Sequence, residues 1–277
     1  MRCIFCKKNS SGSKSIEHII PESLGNKEYI LPPKIVCDKC NHYFSIKIEK
    51  PLLENPYFRN LRFEQGIQNK KGNYIPERGF LLHPHGGPIE LTYDENGNPI
   101  VVIEDESVLK TFLSLKRGEI IHPHFDLPDK EDKIISRFLG KIGLELIASK
   151  LLADSKTLEE FIDHSDFELL RNYVRYGNPD ILWPYYLRRI YPSDKDFFEA
   201  GIGYQTMHEH RILQTEQNEL YIVLAIFGVE YCLNLGGPEL EGYEIWLQNH
   251  NFKSPLDPDI CSKGKISTLP FAHSANY

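Results

Sequence analysis

Two C-x-x-C pairs near the start of the chain, Cys3/Cys6 and Cys37/Cys40, constrain it more than any other feature. Each pair offers two thiolates from one tight turn, and two such turns complete a closed tetrahedral zinc site. With thiolates in all four positions no place is left for water, so the zinc is expected to be structural. A loop of this size buries too little to fold by itself, and the metal would supply the missing order. Cys232 and Cys261 stand apart from both pairs and read as idle thiols.

The thirty residues between the pairs contain Ser15-Ile16-Glu17-His18-Ile19-Ile20-Pro21-Glu22-Ser23-Leu24-Gly25-Asn26, and the fourth cysteine is followed at once by Asn41. Short strands are expected near Ser15 to Ile20 and Tyr29 to Val36. A helix should then open at the second pair and stop at Pro51, with Phe44 and Ile48 forming a narrow apolar stripe. Neighbours in a strand point to opposite faces, so Glu17 and His18 meet at one point only if the strand ends and twists there. Zinc at Cys40 would fix the backbone of Asn41 at the helix start.

Glu17-His18-Ile19-Ile20-Pro21 together with Cys37-Asp38-Lys39-Cys40-Asn41, set between two zinc pairs, resembles the HNH endonucleases of the His-Me finger group. The resemblance covers roughly residues 3 to 50. It implies a ββα-metal fold in which His18 is the general base taking a proton from water, as suits an imidazole. It also implies that Glu17 and Asn41 hold one divalent cation, usually Mg²⁺, against the scissile phosphate. The family's loop asparagine, sought five residues before Cys37, is replaced here by Pro32, with Asn26 as a candidate substitute. Appended-domain relatives in bacteria suggest phage defence or restriction as a setting. Two fingers in a dimer could cut both strands of a duplex.

Beyond the finger, turn-rich residues 51 to 125 predict a small antiparallel sheet, including a hairpin between Ile89 to Tyr93 and Ile100 to Ile103. Ile135, Phe138, Leu139, Ile142 and Leu146 then recur at helical spacing. A second helical stretch should start at a capping box near Thr157, break at Ser165-Asp166 and close at Gly177. Strands are expected over Ile202 to Leu213, Leu220 to Leu235 and Gly242 to Leu247, and an irregular tail from Lys253. The fold class is therefore α+β. It comprises a finger (1–55), a small sheet region (56–125) and a mixed C-terminal domain (126–277) with a regulatory or oligomerisation role.

Charge is unevenly spread. Up to Gly79 there are 14 Lys and Arg against 8 Asp and Glu, or +6, leaving 18 against 31, or −13, for the remainder. A basic head suits a polyanion, because neutralised phosphates release counterions. Lys7, Lys8, Lys14, Lys34, Lys39, Lys47 and Lys50 are candidate phosphate contacts, with Tyr29 and Tyr43 as candidate stacking surfaces. His83/His85, His122/His124 and His208/His210 share the chelating spacing of a second metal site. The longest apolar run, Tyr221 to Leu235, is short for a bilayer and contains Glu230. Without an apolar leader at the N-terminus, the expected place is the cytoplasm. Nucleic acid, DNA first, is the expected partner, with a homodimer or partner protein at the acidic part. A non-catalytic zinc finger binding nucleic acid or protein is the rival reading. A third is a toxin whose acidic domain occludes the finger.

Overall fold

The computed structural model describes residues 1–178, 180–199 and 201–257, so Cys261 and the tail beyond 257 lie outside the described residues. In chain order the elements are β1 (Glu17–His18), β2 (Ile30–Leu31), α1 (Asp38–Phe44), α2 (Lys50–Glu54), α3 (Pro56–Glu64), β3 (Glu77–Leu82), β4 (Pro88–Tyr93), β5 (Pro99–Val102), α4 (Glu106–Ser114) and β6 (Glu119–Ile121). They continue with α5 (Lys133–Leu151), α6 (Ser155–Asp163), α7 (Glu168–Tyr176), β7 (Tyr186–Arg189), β8 (Asp196–Glu199), β9 (Ile202–Gln205), β10 (His208–Gln214), β11 (Leu220–Ile226), β12 (Val229–Asn234) and α8 (Glu241–Asn249). The fold is α+β, as expected. Two compact units form: Met1–Ile20, Glu28–Leu52 and the described residues from Asp129, and separately Pro21–Lys27 with Leu53–Pro128.

The first unit is organised around α5. Asp132 caps the helix, its carboxylate accepting from the amides of Ile134 and Ile135. The expected apolar repeat is fully buried, from Ile135 at 0% to Leu146 at 2% exposure. One side of α5 meets β11 and β12, and others meet α6 and α7. The sheet is antiparallel in the order β10-β11-β12-β7. On its other face α8 packs through Tyr243 and Leu247 against Tyr221, Val223, Ala225 and Cys232. In the second unit α4 covers one face of an antiparallel sheet of order β5-β4-β3-β6, with Leu81, Ile89 and Val108 at its centre.

Several expectations need correction. Pro51 does not stop the first helix. A proline lacks an amide donor and its ring presses on the carbonyl four residues back. Here a π-helical turn, Ser45–Glu49, comes just before it, and the Lys50 amide reaches the Ser45 carbonyl, so the chain continues into α2. Residues 242 to 247 are helical because Tyr243 and Leu247, four apart, both face the core. The stretch 202 to 213 divides between β9 and β10, which belong to different sheets. The run 220 to 235 is a hairpin, turned at Phe227 (φ 44°) and Gly228 (φ 77°). A Cβ on Gly228 would lie 2.1 Å from the Tyr191 carbonyl, so only glycine fits. The second helical stretch starts at Ser155, capped by Asp154, ahead of the expected capping box. It does break at 165–167 and close on left-handed Gly177. The finger strands are two residues each, shorter than expected.

Candidate active site and metal centre

The four cysteine sulfurs all lie within 4.8 Å of one another. Lys7 takes a left-handed φ of 60°, which lets the first knuckle turn back so that the Cys3 amide donates to the Lys8 carbonyl at 2.9 Å. The two knuckles are joined by the Ile4 amide donating to the Ile35 carbonyl at 3.0 Å. The Cys37 amide points at Cys3 Sγ, 3.3 Å away, and Cys6 and Cys37 Sγ stand 3.6 Å apart. A hydrogen bond with Cys40, aided by backbone amides, holds the Cys3 thiol down to about 5 against the opposing effect of burial. Burial pushes the Cys6 thiol up, and the hydrogen bond with Cys3 together with burial pushes the Cys40 thiol up, so without a metal one thiolate forms at the others' expense. Four sulfurs this close, with amide donors beside them, fit a zinc ion.

Next to this centre, β1 and β2 pair antiparallel with Glu17 opposite Leu31 and His18 opposite Ile30. Asp38 anchors the approach to β1, its Oδ1 accepting from the amides of Lys14 and Ser15 at 3.0 and 2.9 Å. Asn41, in the first turn of α1, donates through Nδ2 to the Ile16 carbonyl at 3.1 Å. The helix start and the strand are therefore tied at the residue before Glu17.

Glu17 is buried, at 3% exposure, and His18 is partly exposed. Glu17 Oε1 lies 2.7 Å from Lys141 Nζ, on α5. Its Oε2 is buried without a hydrogen-bond partner, and so is His18 Nδ1. Lys141 is fully buried and also meets Glu145 at 3.0 Å, Glu49 at 3.3 Å and the His18 carbonyl at 3.3 Å. Burial pulls the Lys141 pKa down, but the carboxylates of Glu145, Glu17 and Glu49 more than offset this and leave it raised. Burial raises the pKa of Glu17, with Lys141 working against it, and pushes Glu145 well up. The π-helical turn is what carries Glu49 into this group.

The family model of the HNH endonucleases matches residues 3–56. An HNH domain stands at the N-terminus. The match supports a nuclease-type module there and does not extend to residues 57–277. No curated protein and no solved structure matches the chain.

Around the HNH domain the other sequence candidates separate. Lys8, Lys14, Lys34, Lys39, Lys47 and Lys50 are exposed, whereas Lys7 pairs with Glu168 on α7. Tyr43 accepts from Arg137 at 3.0 Å and Tyr29 packs edge-on against His210, so both rings serve packing contacts. Pro32 is exposed, and Asn26 is buried within the second compact unit. Among the described residues the cysteine quartet is the one group of three or more His, Cys, Asp or Glu at ligating distance, and none of the His-x-His pairs belongs to such a group. His124 instead pairs with Glu64, and the His85 amide donates to His83 Nδ1. Among the described residues no helix is long and apolar enough to cross a membrane.

Sequence reasoning missed Lys141, Glu145 and Glu49. A signal for two of them was present. Lys141 and Glu145 are an i, i+4 charged pair inside the apolar run Phe138 to Leu146, where water-facing residues have no place.

Proposed function

We propose that the chain is a metal-dependent endonuclease hydrolysing phosphodiester bonds in nucleic acid, DNA in the first instance. The observation that carries this reading is that consecutive residues at the end of β1 each hold a buried polar atom with no hydrogen-bond partner, Glu17 Oε2 and His18 Nδ1. Folded proteins satisfy such atoms, and exceptions mark a water, an ion or a chemical role.

Glu17 through Oε2 and Asn41 through its amide oxygen would hold one divalent cation, and hard oxygen donors of this kind suit Mg²⁺. When bound, such an ion stabilises the charge that develops on the phosphate and on the departing 3′ oxygen. His18 accepts the proton of the attacking water at Nδ1. The pairing of β1 with β2 holds its backbone, and Asn41 braces the preceding residue through the Ile16 carbonyl. The exposed lysines of the HNH domain meet the nucleic-acid backbone.

The test is cleavage of supercoiled plasmid by purified protein with Mg²⁺, with EDTA, and with Mg²⁺ restored. The His18→Ala variant should stay folded and zinc-loaded, yet cleave about 10²- to 10⁴-fold more slowly. Cys37→Ser should lose zinc and the fold of the HNH domain. A second reading draws on the burial of Glu17 against Lys141, which a purely structural finger could also use. That non-catalytic binding module predicts nucleic-acid or protein binding without turnover, and indifference to His18→Ala.

A further inference from the structure

Lys141 lies far along the chain from the segment that the HNH family model matches, and its ammonium is wholly enclosed. Its side chain reaches both residues on which the nuclease reading rests. It is 2.7 Å from the Glu17 carboxylate, the shortest of its three ion pairs, and 3.3 Å from the carbonyl of His18. We propose that Lys141 is a positioning residue of the nuclease site. Holding Glu17 by Oε1, it presents Oε2 to the cation, and by anchoring the His18 carbonyl it fixes the backbone that aims the imidazole. This inference rests on the nuclease reading above.

Neutralising buried charge does not account for the arrangement. Three carboxylates surround one ammonium, and a core that needed only packing is served as well or better by apolar side chains in place of a buried ion pair. The helix carrying Lys141 is also held rigidly. Gly140 and Gly143 flank it, and a Cβ on either would lie 2.8 Å from Val174 or 2.4 Å from Leu235, so α5 is seated closely against α7 and the end of β12. A charged group held from a rigid neighbour is what keeps a metal-ligating carboxylate in one orientation.

The experiment uses the full-length chain and the double variant Lys141→Met with Glu145→Gln. That pair of changes removes the ammonium and one carboxylate together, leaving the formal charge and shape of the cluster nearly unchanged. The variant should keep its zinc and circular dichroism spectrum, with a thermal midpoint lowered because the Glu17 carboxylate and the His18 carbonyl lose a buried partner. Its affinity for Mn²⁺, titrated by electron paramagnetic resonance in the absence of DNA, should fall about 10- to 100-fold. Its kcat on plasmid should fall by a similar factor of about 10 to 100, with KM for DNA held. Glu145→Gln alone, which leaves the Lys141 contacts to Glu17 and His18, should lose far less of both than the double variant, and an equal loss in the single variant overturns the proposal. A folded double variant with wild-type Mn²⁺ affinity or wild-type kcat overturns the proposal, because the cluster is then structural only. A measurement on the wild type covers the case of a variant that does not fold. Mn²⁺ should broaden the Lys141 side-chain resonances at the first additions, and sharp Lys141 signals at saturation overturn the proposal. A wild-type protein that neither binds Mn²⁺ nor cleaves any nucleic acid brings down the nuclease reading itself, and this inference with it.

Discussion

His210 sits on β10 with its ring edge-on to Tyr29, centroids 4.9 Å apart, and its Nδ1 is buried without a hydrogen-bond partner. Burial, with a smaller contribution from Lys150, pushes its pKa from 6.5 down to about 4. The folded state thus resists a proton that the unfolded chain accepts. Stability from this residue is complete above pH 6.5, drains away as the pH falls, and is lost by about pH 4. His210→Phe should therefore flatten the fall of the urea midpoint between those limits, and a wild-type slope in the variant would count against the assignment. The contrast with the HNH site shows what a sequence can and cannot disclose about single residues. Cys3, Cys6, Cys37 and Cys40 were legible because the spacing of two C-x-x-C turns brings their sulfurs together, and Glu17, His18 and Asn41 could be named as candidates from their short-range pattern. Glu49 and Glu145 reach the same place only through packing of α5 against the finger. His210 was legible only as half of a chelating pair, because burial is a tertiary property.

Among the elements, α5 is where sequence pattern and packing agree best, and it is also where substitution should cost most. Its glycines are there for closeness. A methyl at Gly143 would stand 2.4 Å from Leu235 Cδ2, just past β12, and 3.2 Å from Ile222 Cγ2 on β11, both buried. Overpacking of this kind costs about 1–3 kcal/mol, against about 1 kcal/mol that alanine gains over glycine in a helix. Gly143→Ala should lower the thermal midpoint measured by calorimetry, and an unchanged or raised midpoint would show that the sheet yields. The helix itself could be read in advance because its apolar repeat, Ile135 to Leu146, spans about three turns without a break. Shorter elements could not. Tyr243 and Leu247 fit a strand or a helix equally in a six-residue window, and only the core opposite them decides. The passage of the first helix through Pro51 depends on one π-helical turn, for which Ser45 to Glu49 carry no local signature.

At the scale of the molecule, residues 1–20 and 28–52 of the finger belong to one compact unit with the helices from Asp129 onward, and buried polar groups join them. Arg171, buried on α7, donates to the Ile4 carbonyl of the first zinc knuckle at 3.0 Å. Arg137 donates to Tyr43 on α1, and Arg2 forms ion pairs with Glu159 and Asp163 on α6. Lys141 completes the set from α5. If the acidic remainder only occluded a self-sufficient finger, deleting it would raise activity. The contacts argue for a scaffold instead, since cutting them strips the Ile4 carbonyl and the Glu17 carboxylate of their buried partners, and an unsatisfied buried group costs about 1–3 kcal/mol each. Residues 1–128 expressed alone should therefore lose zinc to a competing chelator faster than the full chain and show no plasmid cleavage. A soluble, zinc-retaining fragment with activity equal to or above that of the full chain would establish occlusion and remove the scaffold role. Restoring residues 129–257 should then return zinc retention and cleavage together, because α5 and α7 secure the knuckle and the strand end at once.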